Sequence, residues 1–154
     1  MIVVGYVAGA FGRACLEQAI VEARLRDTEL LLISAVSEAR GQRVVDADEI
    51  AEVQARLDAS GLRFRIQQPI GATPAEELLA AMDNPEAEML VIGMRRRTQV
   101  GKLLLGSTSQ YLLLSCSKPV LVVKPSGEQH QRTAPKSAAD RVDHSLQSGD
   151  AIEP

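Results

Sequence analysis

The chain has 154 residues with 17 basic and 20 acidic side chains, a formal net charge of -3 and a hydrophobic fraction of 45%. That length fits one domain with a real core, and that apolar fraction excludes wholesale disorder. The acidic balance argues against a general nucleic-acid binder. No apolar run approaches the roughly 18–20 residues that cross a bilayer, and the first residues lack the basic, long apolar pattern of a secretion signal. A soluble, cytoplasmic protein with neither nucleic-acid nor membrane partners is expected. Cys15 and Cys116 stand far apart without a CxxC pairing and read as two reduced thiols. Both histidines, His130 and His144, lie in the polar C-terminal stretch. The folded part is therefore expected to lack the commonest general base and metal ligand.

Ile2–Gly5 is a short β-branched run suited to a strand buried on both faces. Residues 11–26 turn helical, with Phe11, Cys15, Ala19 and Ala23 every fourth position on one face. Residues 30–36 form a second buried strand. Residues 46–60 read as a helix with Ile50, Val53 and Leu57 inward and Gly61 as its stop. Leu62 to Ile66 alternates apolar and basic residues, which marks a half-exposed strand at a sheet edge. Thr73, Pro74 and Glu76 open a third helix with a capping-box pattern and proline at its first position, and the helix ends near Asn84-Pro85. Residues 89–92 are another buried strand, closed by Gly93. An arginine-rich loop follows, then a helix over about 103–116, and a last strand from Pro119 to Val123.

Strand–helix alternation of this kind predicts an α/β fold: an open, mostly parallel five-stranded sheet with right-handed crossovers and helices on both faces. The order 3-2-1-4-5 is expected. Beyond Pro125 the composition shifts to Ser, Gln, Asp, Gly and Pro. Residues 1–125 are thus read as the domain, and 126–154 as a polar tail without a core of its own.

In such a sheet ligands bind beyond the carboxyl ends of the strands, where the strand order reverses. Here that point lies between the first and fourth strands, rimmed by residues 5–9 and 93–109. The second rim carries Gly93, Arg95, Arg96, Arg97, Gly106, Ser107, Thr108 and Ser109. Glycine and three hydroxyls at a helix start offer N–H and O–H donors to an anion. These residues, together with Val91-Ile-Gly93 and the run from Pro119 to Val123, resemble the end of a universal stress protein, and the likeness extends over roughly residues 1–125.

The resemblance implies the Rossmann-like fold, a homodimer through the strand Val120–Val123, and an adenine nucleotide such as ATP in the crevice. Nucleotide-binding members carry a G-x2-G-x9-G-[ST] loop. Gly93 matches its first glycine, Gly106 and Ser107 its last pair, and Arg96 replaces the second glycine. Those members also place an aspartate where this chain has Val7, and their adenine meets the backbone at about Ala35. The implied ligand-binding set is Gly5, Tyr6, Val7, Ala35, Gly93, Arg95, Arg96, Gly106, Ser107, Thr108 and Ser109. The alternative is an interaction protein that keeps fold and dimer without the nucleotide.

Each of these features also has a plainer reading. The three arginines can form a solvated loop, and the Gly-Ser-Thr-Ser run can simply begin a helix. Lys102 follows Val-Gly, but the rest of a P-loop signature is missing. No Ser-His-Asp set is available and neither rim segment carries a pair of carboxylates, so a binding site is expected here, not an enzyme.

Overall fold

The computed structural model describes residues 1–34, 45–71, 73–94 and 105–124. Nine elements alternate along them: β1 (Ile2–Gly5), α1 (Ala10–Leu25), β2 (Leu30–Ile33), α2 (Ala47–Asp58), β3 (Phe64–Gln67), α3 (Pro74–Asp83), β4 (Met89–Gly93), α4 (Ser107–Ser115) and β5 (Val120–Val123). The strands form one sheet in the order β3-β2-β1-β4-β5, and every pairing is parallel. Val3 lies beside Leu31 on one side and Leu90 on the other, so β1 is the central strand.

Two cores flank this sheet. The β1 side chains of Ile2 and Val4 join Leu30, Leu32 and Val91 beneath α1 and α2, where Cys15, Leu16, Ala19, Ile20, Val53 and Leu57 are buried. Val3, Leu31, Ile33, Leu90 and Ile92 point the other way, against Ala75, Leu78 and Met82 of α3 and Leu112 of α4. Alternate side chains of one strand thus serve opposite cores, as the period of two requires. β3 shows the edge pattern directly, with Phe64 and Ile66 half-buried and Arg65 and Gln67 exposed. Among the described residues, no helix is long and apolar enough to cross a membrane.

Some boundaries differ from the sequence reading. The buried face of α1 is wider than the one-in-four pattern, because Gly12, Leu16 and Ile20 also face inward while Phe11 is only half-buried. β3 begins at Phe64 and not Leu62. The start of α4 is Ser107, since Gly106 has the extended backbone of a cap (φ -65, ψ 155) and the Ser-Thr-Ser run then nucleates the helix. α3 begins at Pro74 as expected, yet Thr73 makes no side-chain capping bond; the proline's fixed φ and missing donor begin the turn without it. The predicted parts of β2 at 35 and 36, of the α4 region at 103 and 104, and the tail 126–154 lie outside the described residues.

Candidate functional site

At the carboxyl end of β1 the chain passes from Gly5 through Tyr6, Val7 and Ala8 into α1. The Tyr6 N–H continues the ladder by donating to the Ile33 carbonyl at 2.9 Å. Its side chain turns into the α1–α2 core and is 2% exposed. Gly9 caps α1 at φ 98, a conformation that disfavours any side chain. One turn later, Gly12 lets the helix close on the strand end: a Cβ there would stand 1.9 Å from the Val7 carbonyl oxygen.

A carboxylate from α2 completes this rim. Asp46 caps α2 by accepting from the Glu49 N–H at 2.9 Å. A glutamate at the third helical position commonly folds back onto its own cap. Here it reaches across to α1 instead, where Glu49 Oε1 accepts from the Gly9 N–H at 2.7 Å and the Tyr6 hydroxyl at 2.9 Å. Arg13 stands 3.7 Å away with its side chain 58% exposed, so water screens that pair heavily.

The second rim begins where β4 ends. Met94 donates to the Val123 carbonyl at 3.0 Å, and the space under Gly93 is filled by Cys15, whose Sγ would lie 3.1 Å from a Cβ. Gly106 carries the start of α4, and the first helical bond runs from the Gln110 N–H to the Gly106 carbonyl at 2.9 Å. The N–H groups of Ser107 and Ser109 precede that bond and have no acceptor within the helix. Ser109 Oγ reaches the Gly93 carbonyl at 3.4 Å, tying the helix start to the strand end. Ser107 is exposed, and Thr108 and Ser109 are half-buried.

Gly5, Tyr6, Val7, Gly93, Gly106, Ser107, Thr108 and Ser109 therefore gather at the carboxyl side of the sheet, where β1 and β4 adjoin and the order reverses. Ala35, Arg95, Arg96, Arg97 and Lys102 lie outside the described residues. The sequence reading missed Glu49. Its only local signal is the Asp-x-x-Glu pattern of a helix start, which says nothing of a partner 40 residues earlier. Among the described residues no cluster of His, Cys, Asp and Glu has the makings of a metal centre.

Burial, and then the Glu49 hydrogen bond, hold the Tyr6 phenol well above its ordinary pKa. Burial pushes the Cys15 thiol up to about 12. Both acids are kept protonated by the fold, so the stability they contribute is complete below their unfolded pKa values. It is lost as pH climbs above roughly 9 for the thiol and roughly 10 for the phenol. In a Cys116→Ala variant at pH 8, Cys15 should resist a thiol-specific disulfide reagent until urea unfolds the chain. Reaction of the native protein at the rate of a free thiol would contradict this placement.

The sequence matches the profile of the Universal stress protein family over residues 1–124. It is also 56% identical to a universal stress protein of Mycolicibacterium smegmatis, across 82% of this chain and 99% of that one. The chain belongs to the universal stress protein family. Solved structures share the fold of this family member at much lower identity. One is a universal stress protein from Archaeoglobus fulgidus in complex with dAMP, with a TM-score of 0.59, 20% identity, and 80% of this chain and 95% of that chain covered. Another is a universal stress protein in complex with cAMP, with a TM-score of 0.59, 21% identity and coverage of 82% and 98%.

Proposed function

We propose that the protein is a regulatory module that binds an adenine nucleotide, ATP or a relative of it, where β1 and β4 diverge. The observation that carries this reading is the start of α4. Ser107 and Ser109 turn N–H groups without helical acceptors toward the carboxyl end of the sheet, and the Ser109 hydroxyl is anchored to the strand end through Gly93. A helix start of this kind favours an anion through its N–H groups and its dipole. Relatives of the same fold in complex with dAMP and cAMP support an adenine nucleotide as that anion.

Gly5, the backbone of Tyr6, Val7 and Ala35 then border the nucleoside, and Gly93, Arg95, Arg96, Gly106, Ser107, Thr108 and Ser109 the phosphates. The role is to hold the ligand, not to transform it. Calorimetric titration with ATP, AMP and cyclic AMP tests the reading. Saturable binding of at least one is expected, and Arg96→Ala should weaken it by about 1.5–3 kcal/mol, the range for charged hydrogen bonds. No binding of any of the three, with no nucleotide released on heating the purified protein, would favour an interaction protein that lacks the ligand.

The same flank of the molecule suggests a homodimer. β5 is a sheet edge with apolar residues throughout, and α4, which leads into it, leaves Tyr111 52% and Leu114 88% exposed. A bare edge of this kind is an aggregation hazard that antiparallel pairing of Val120–Val123 with a second copy removes. Light scattering at micromolar concentration should report twice the chain mass. A stable monomer would refute the pairing.

A further inference from the structure

The Glu49 carboxylate does more than its contacts require. Its side chain is 11% exposed, and both of its hydrogen-bond donors, the Tyr6 hydroxyl and the Gly9 N–H, converge on a single oxygen, Oε1. Among the described residues, Oε2 accepts no hydrogen bond. An ionised carboxylate has acceptor capacity on both oxygens and pays heavily for desolvation when that capacity is unused. Among the described residues, the cation beside it is Arg13, which is largely in water and 3.7 Å from the oxygen that is already occupied.

The position matters as much as the chemistry. Glu49 enters from α2 but is fastened to the first residues after β1, on the carboxyl side of the sheet. All four helices begin on that side of the parallel sheet, and two of them, α1 and α4, follow β1 and β4, where the strand order reverses. The first is already supplied with a negative charge by Glu49, so a phosphate there would meet a carboxylate at close range. The second offers serine N–H groups and hydroxyls. A nucleotide lying across the two is therefore polarised, with its anion toward α4 and its neutral, donor-bearing part toward Glu49. Val7 contributes no hydrogen-bonding side chain at this rim, which leaves Glu49 as the acceptor from the described residues that is fastened there.

We infer that Glu49 is a ligand-binding residue whose open oxygen accepts the ribose hydroxyls of the bound nucleotide, so that it selects for an intact sugar diol. This rests on the nucleotide reading above and adds a residue, a sugar contact and a direction to it. Oε2 is suited to such a contact because the other oxygen is already pinned by two donors, and little side-chain freedom remains to be lost on binding.

The test compares AMP with 2′,3′-dideoxyAMP by calorimetry, in the unaltered protein and in Glu49→Gln. Glutamine keeps a carbonyl oxygen for Tyr6 and Gly9 but replaces the open acceptor by an amide NH2 donor. The unaltered protein should prefer AMP by about ten- to a hundredfold, the span of a charged hydrogen bond. Glu49→Gln should bring the two ligands within about threefold of each other, chiefly by weakening AMP. A protein that binds both ligands equally well before any substitution would overturn the inference while leaving nucleotide binding intact. Equal weakening of both ligands by Glu49→Gln would do the same, because it would mark a purely structural contact. If neither ligand binds, ATP and 2′,3′-dideoxyATP are compared in the same way, and if ATP and cyclic AMP also fail to bind, the nucleotide reading falls and this inference falls with it.

Discussion

Replacing Gly12 by alanine should destabilise the protein by about 3 kcal/mol or more, at the upper end of what one added methyl does to a packed interior. The added Cβ would lie 1.9 Å from the Val7 carbonyl oxygen and 3.0 Å from the Tyr6 ring. A flexible side chain could swing away from such a clash, but a backbone carbonyl cannot. α1 would have to lift from the end of β1, and its buried face from Cys15 to Ala23 would lift with it. The same movement would pull Gly9 away from Glu49, so affinity for the proposed nucleotide should fall along with stability. Urea denaturation followed by circular dichroism measures the first effect. A loss below about 1 kcal/mol, as for an ordinary surface substitution, would mean that α1 does not approach the strand end this closely.

Leu57→Ala should cost about 2–5 kcal/mol, the range for deleting a fully buried leucine side chain. Leu57 is completely shielded from solvent, and with Val53 it is one of the two buried residues of α2. The rest of the helix is tied down more lightly. Arg56 pairs with Glu17 across to α1, with both side chains substantially exposed, and the Ser60 hydroxyl donates to the Leu57 carbonyl at 2.6 Å. Because α2 carries Glu49, loosening its far end should also be felt at the site. Hydrogen exchange should show the α2 amides losing more protection than those of β1. Uniform loss across the chain would show that α2 and the central strand open as one unit.

The comparison of sequence with structure divides along physical lines. Period and punctuation are local, and they carried most of the fold. The apolar runs at 2–5, 30–33, 89–92 and 120–123 have no amphipathic face, so they belong in a sheet covered on both sides. Helices between them force parallel pairing, and right-handed crossovers leave few strand orders, of which 3-2-1-4-5 is the one observed. Position at the strand ends then brings residues 5–9 and 106–109 to one rim, without any knowledge of side-chain contacts.

What the sequence by itself determined was therefore the layer architecture, the placing of the strand ends and the family likeness, since each depends on patterns repeated within a few residues. The tertiary structure alone decided how the rim is furnished. Gly12 looks like any helical glycine until a carbonyl is found where its Cβ would be. Tyr6 looks like a strand-end residue free to meet a ligand, yet its ring is in the core, because β1 side chains alternate and the sixth faces α1 and α2. Glu49 looks like a helix-capping residue, yet it serves another helix. Its partner lies 40 residues away, and only the packing of α2 beside α1 brings the two within a hydrogen bond. Contacts of that kind are set by the docking of whole elements, and no local spacing encodes them.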